Sequence, residues 1–298
     1  MKDIILITGA NGHLAKSLRK LLSKDYKIRY LTTKKVLTTK ASYFYWDIEE
    51  EYIDTKALEN CKHIIHLAGY PILKRWTRKN KKIIYDSRIK STNILLDKCK
   101  LLNIKVETFI CASAIGIYDI SSAGNINEDA LKGNDWIAQM ACDWEYAANK
   151  FKELGSRVVQ MRISLIFSKN AGFLKYNLLS MKYGIGLIIG RSNRRINWIH
   201  VHDIVRFILE SIKNKNYSGP YNLASDDAIS QRNLIKLIKN KLFPYSIVIK
   251  IPMYLVRLFL GKRSQIISAD LSLNTNKLKE SGFKYKFNQI SEVIDNLK

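Results

Sequence analysis

Thr8-Gly9-x-x-Gly12-x-x-Ala15 follows the apolar run Ile4 to Ile7 and leads into Leu14, Leu18, Leu21 and Leu22 at helical spacing. That order predicts a strand, a tight turn and a helix, the arrangement that holds the pyrophosphate of a dinucleotide. Gly9 allows the turn, Gly12 lets backbone N–H groups approach the anion with no Cβ in the way, and Ala15 lets helix close on strand. The helix N-terminus faces the phosphates, with Thr8, Asn11, His13 and Leu14 around it. His200 and His202 alternate along a strand and share one face, but no third ligand stands at a defined spacing. No metal site is expected from them.

The elements that must carry these residues alternate as far as about residue 162. Strand-like runs at 4–8, 27–31, 42–46, 63–67, 106–112 and 157–162 are separated by helical patterns near 12–24, 77–102 and 136–154, the signature of βαβ units and a parallel sheet. The predicted fold is α/β, a Rossmann-type doubly wound parallel sheet over 1–243 with a small C-terminal α/β unit over 244–298, whose edge is set by Pro244 and Pro252. After the second strand, Leu31-Thr32-Thr33-Lys34-Lys35 lacks the carboxylate that NAD-preferring folds place there for the ribose hydroxyls. NADP is therefore favoured, with NAD left open. Lys34 or Lys35 and the Thr32 and Thr33 hydroxyls are the candidate 2′-phosphate ligands, unless the lysines are simply solvated.

Composition narrows the function classes. The four cysteines are far apart with no Cys-x-x-Cys pair, which reads as reduced thiols in a cytoplasmic protein. The greasiest later stretch, 247–260, is interrupted by Lys250, Pro252 and Arg257 and falls short of the roughly 20 apolar residues that a membrane span needs. The net charge of +24 comes from lysine and arginine spread along the chain. No arginine-aromatic recognition module accompanies it, so specific nucleic-acid binding is not expected.

Together with the N-terminal turn, Trp46-Asp47, His66-Leu67-Ala68-Gly69, Ser113 to Tyr118, Trp198 to Asp203 and Tyr221 to Ser225 follow the order of the extended short-chain dehydrogenase/reductases, which the chain resembles. Lys74-Arg75-Trp76, Asp86 to Thr92 and Asp143-Trp144-Glu145 are similar to a narrower epimerase-like group with a C-terminal DUF1731 domain. The resemblance implies that Asp47 contacts adenine and that Leu67, Ala68 and Gly69 line the path to the nicotinamide. It also implies pairing of two chains through the helices near 77–102 and 136–154, and helix capping by Asp203.

With Glu145 in the place of the family's helix glutamate, the resemblance implies that the tyrosine and lysine that move the proton in hydride chemistry fall on Ile137 and Ala141. Replacement chemistry is expected from Ser113, which would polarise a carbonyl or hydroxyl, Tyr118, which would supply a proton, and Arg88, which would anchor a carboxylate or phosphate. Each has a structural alternative: a satisfied strand-end hydroxyl, core packing, and a salt bridge to Asp86 or Glu145. Trp76 either stacks on a ring or covers the core. The expected function is an NADP-binding epimerase or oxidoreductase acting on a small or nucleotide-linked anionic substrate. The alternatives are a non-catalytic dinucleotide-binding sensor or scaffold and, last, a binder of nucleic acid or anionic surfaces.

Overall fold

The N-terminal apolar run forms β1 (Ile4–Thr8), buried at every position, in the computed structural model, which describes residues 2–35, 41–120 and 124–297. Leu6 shares a core with Ile64, Leu95, Phe109 and Phe151, so Ile5 and Ile7, which alternate with it, point to the opposite face. Burial on both faces is the mark of a sheet covered on both sides.

The other strands are β2 (Lys27–Thr32), β3 (Tyr43–Asp47), β4 (Tyr52–Ile53), β5 (Cys61–His66), β6 (Thr108–Ala114), β7 (Arg157–Ile163) and β8 (Gly219–Leu223). Their order across the sheet is β8-β7-β6-β5-β1-β2-β3-β4. β1 pairs parallel with β2 and β5, β2 with β3, and β5 with β6. The short β4 runs antiparallel against β3. Chain order reverses between β1 and β5, where loops leaving the strand ends diverge and open a crevice. The doubly wound parallel sheet is the expected architecture.

The helix expected over 77–102 is broken in two. α1 spans His13–Leu22, α2 Arg78–Asp86 and α3 Ile89–Leu101. At the break, Ser87 Oγ accepts from Tyr70 N at 2.8 Å, and Arg88 donates to the carbonyls of Tyr70 and Ile84 at 3.1 and 3.0 Å. These bonds dock the loop after β5 onto the joint. α4 (Trp136–Asn149) is capped by Asp135, whose carboxylate accepts from Ile137 N and Ala138 N.

The division of the chain differs from the expected boundary at 243/244. Residues 1–117, 134–162 and 205–221 form one unit and 118–133, 163–204 and 222–298 another. The reason lies in pairing and core. Ile247–Ile251 pairs parallel with Ile185–Ile189, and Phe287, Ile290 and Ile294 complete a core with Phe167, Trp198 and Leu234. The tail from 244 therefore shares its core with segments far upstream. Among the described residues no helix is long and apolar enough to cross a membrane.

Candidate active site

The turn after β1 is held by Gly12 N donating to Gly9 O at 2.8 Å. Gly9 stands at φ +70°, and a Cβ there would lie 2.8 Å from the Leu67 carbonyl oxygen. Both the conformation and the space require glycine. Gly12 caps α1 with no side-chain cap, and the first turn holds no acidic residue, so the helix dipole meets no protein carboxylate there. In front of this turn lies a cavity of about 440 Å³. Of the predicted cofactor residues, Gly9, Asn11, Gly12, Thr32, Asp47, Leu67, Ala68 and Gly69 line it, together with Thr33, Trp46 and Glu49. Four loops from different strands thus meet in one crevice.

The remaining cofactor candidates stand elsewhere. Thr8 is fully buried and is corrected from a ligand to a strut: its Oγ1 accepts from Leu67 N and Ala68 N, both at 3.0 Å, and lies 2.9 Å from His66 Nδ1. With both lone pairs taken, its proton points to Nδ1, which places the His66 ring proton on Nε2, toward Ser91 Oγ at 3.1 Å. Burial pushes His66 down to about 4, so it is neutral. His13 and Leu14 are half-buried on α1 and do not line the cavity; His13 Nε2 is buried with no hydrogen-bond partner among the described residues. The Lys34 side chain is exposed, outside the cavity wall, and its backbone N–H donates to Thr32 Oγ1. Lys35 lies over the Tyr45 ring at 5.0 Å. Asp47 accepts from Tyr45 Oη at 2.8 Å and from the N–H groups of Glu49 and Glu50, bonds that lower its pKa.

At the end of β6, Ser113 Oγ donates to Glu145 Oε1 at 2.7 Å. Arg162 holds both oxygens of that carboxylate, Nε and Nη2 each at 2.8 Å. The three side chains form a buried line, Ser-Glu-Arg, with Glu145 supplied by α4 and Arg162 by β7. Because its proton is committed to the carboxylate, Ser113 keeps its lone pairs for an incoming donor. Sequence reasoning read Glu145 as part of a family motif and as a salt-bridge alternative for Arg88, and missed Arg162; a glutamate on α4 and an arginine on the next strand were the available signal.

Arg88, at the α2–α3 joint, has neither salt bridge that was weighed for it. Asp86 pairs with Lys82, and Glu145 with Arg162. Among the described residues no carboxylate is within ion-pair distance of Arg88, and desolvation lowers it to about 10. Its guanidinium stacks over Trp144 at 5.2 Å, whose buried indole N–H has no acceptor among the described residues. A Cβ on Gly69, in the cavity wall, would lie 3.2 Å from Arg88 Nη2. Ile137 and Ala141 are buried, and a Cβ on Gly116 would lie 3.0 Å from Ile137 Cγ2.

Tyr118 is corrected. Its ring is fully buried in the second unit and its hydroxyl donates to Asn222 Oδ1 at 2.5 Å; Asn222 in turn donates to the carbonyls of Ile126 and Asn274. Such a phenol is a core strut. Trp76 covers the core, edge-on to Trp136 with its N–H on Ile72 O. Asp203 receives the N–H groups of Lys286 and Phe287 at 2.6 and 3.0 Å, which fastens the C-terminal segment.

The model of the NAD dependent epimerase/dehydratase family matches residues 5–224. An epimerase family protein of Staphylococcus haemolyticus is 31% identical over 296 residues, 98% of each chain. The chain belongs to the NAD dependent epimerase/dehydratase family. A family protein of Staphylococcus epidermidis is 30% identical, again over 98% of each chain. Among solved structures, human epimerase family protein SDR39U1 (isoform 2), determined with NADPH, superposes with a TM-score of 0.88 at 19% identity and 98% coverage of both chains. UDP-glucuronic acid 4-epimerase of Bacillus cereus, determined with UDP-glucuronic acid and NAD, gives 0.79 at 17% identity, covering 98% of this chain and 96% of the other. The family fold is thus the one described here, with β1, the glycine turn and the β6 serine inside the matched span.

Proposed function

We propose that this family member is an NADP-using oxidoreductase or epimerase whose substrate is a small or nucleotide-linked anion. The observation that carries the reading is the α1 N-terminus, free of side-chain caps and acids, opening onto a cavity walled by Gly9, Gly12, Thr32, Asp47 and Gly69. The residues fit the cofactor: the turn N–H groups would hold the pyrophosphate, and Thr32 and Thr33, at the end of a strand with no carboxylate, would meet a 2′-phosphate. NADPH in the human relative supports that choice, as does UDP-glucuronic acid in the Bacillus epimerase for the substrate class. Bound cofactor would supply a nicotinamide that exchanges hydride with the substrate carbon.

The chain's own residues supply the rest. Arg88, a largely desolvated cation with no carboxylate, anchors the anion with its free guanidinium edge, and the unpartnered Trp144 N–H is a second donor beside it. Ser113 Oγ accepts the proton of a substrate hydroxyl while its own hydrogen passes to Glu145, and Arg162 keeps the carboxylate in place. The buried Ile137 and Ala141 keep water and competing donors out of the place that a tyrosine and lysine would fill. Pairing of two chains through α2, α3 and α4 belongs to the same proposal.

Turnover of UDP-sugars with NADP tests it. Arg88→Met should raise KM by about tenfold or more with a smaller loss in kcat, and Ser113→Ala should lower kcat with KM retained. Tight NADPH binding with no turnover of any anionic sugar would favour the alternative, a dinucleotide-binding protein without chemistry, which the loss of the tyrosine-lysine pair also supports.

A further inference from the structure

The second unit carries an apolar, cationic surface unrelated to the cofactor cavity. Strands Ile185–Ile189 and Ile247–Ile251 pair parallel with Ile185 opposite Ile247 and Leu187 opposite Ile249. One face of this ribbon turns to the core, where a Cβ on Gly186 would meet Ile235 and Met181. The alternating residues leave Ile185, Ile247 and Ile249 at 43%, 69% and 47% exposure. Pro252 then starts the helix Met253–Leu260, which buries Val256 and exposes Tyr254, Leu258 and Phe259, the last two at 77% and 78%. Six large apolar side chains on neighbouring elements exceed the scattered exposure of an ordinary surface.

The sequence segments that supply these elements carry charge of one sign. Residues 163–202 contain six lysines and arginines, residues 228–269 contain eight, and neither segment has an aspartate or glutamate. Carboxylates from elsewhere in the unit reach Arg195 and Lys241. Lys182, Arg257 and Lys262 are exposed, with no carboxylate in ion-pair distance among the described residues.

We infer that this surface docks on an anionic phospholipid bilayer, Leu258 and Phe259 entering the acyl boundary while Lys182, Arg257 and Lys262 meet the headgroups. Exposed apolar residues beside uncompensated cations are the composition of an interfacial anchor. Each cation near a negative leaflet adds to binding, and apolar insertion makes part of that binding salt-resistant. A second copy of the chain fits poorly, because it would bring the same positive charge to the contact.

The test is co-sedimentation of the full chain with phosphatidylcholine vesicles, with and without phosphatidylglycerol, at physiological salt. Binding is expected only with phosphatidylglycerol, and L258E/F259E should weaken it by about tenfold or more. Lys56→Glu changes net charge by the same amount on an exposed residue of the other unit and should weaken it about twofold at most. Circular dichroism and unchanged NADPH affinity would show the double variant folded. Absence of binding, equal loss in both variants, or a dimer in sedimentation velocity that L258E/F259E abolishes would overturn the inference, the last by assigning the surface to a second copy.

Discussion

Glu145 is the residue whose replacement separates structure from chemistry most sharply. Glu145→Gln leaves the Arg162 guanidinium buried without its partner and should cost about 3 to 5 kcal/mol of stability, whereas Ser113→Ala, which removes one hydrogen bond to a charged group, should cost about 1.5 to 3. Urea unfolding of the two variants measures the difference. His66 gives a pH dependence. Its folded pKa, about 4, lies below the ordinary 6.5, so between these values the unfolded chain binds the extra proton. Stability is full above pH 6.5, falls as pH drops through that window and levels off below about 4, by about 3 kcal/mol in total. Protonation would also set a second donor against Thr8 Oγ1. The fall should shrink in His66→Asn, as read from urea midpoints at pH 7 and 4.5. At this scale the sequence revealed which residues are polar and near strand ends. It did not reveal where hydrogens go. Thr8 and Tyr118 were misplaced because their partners, Leu67 N, Ala68 N and Asn222, become neighbours only through long-range contacts.

Elements were more legible, because their signals are local. The run Ile4 to Ile7, the glycines and the leucines at helical spacing announce β1, its turn and α1 without reference to the rest of the chain. The break between α2 and α3 was not legible, since no proline or glycine marks it; it depends on Tyr70 returning to Ser87 and Arg88 from the β5 loop. The boundary at 244 failed for a related reason: Pro244 and Pro252 do flank a strand, but its partner lies some sixty residues upstream. Gly9→Ala tests the turn as an element. The added methyl would stand against the Leu67 carbonyl in a conformation that alanine resists, so stability should drop by about 1 to 3 kcal/mol and NADPH affinity by about tenfold or more. A variant that keeps both would show that the turn does not need its glycine.

At the scale of the whole molecule, strand order converts these local pieces into a site. β1 lies between β5 and β2, so the loops after four strands meet at the reversal point and wall one crevice. A chain of net charge +24 attracts any phosphate at low salt, so the crevice must be tested where that attraction is screened. The central claim is that the glycine turn and the acid-free end of β2 make an NADP site. Calorimetric titration with NADPH and with NADH at physiological salt tests it most directly. The account predicts one site per chain, NADPH binding about tenfold or more tighter than NADH, and loss of that binding in Gly9→Ala. Equal affinities, NADH preference, or no binding of either nucleotide by the folded protein would contradict it.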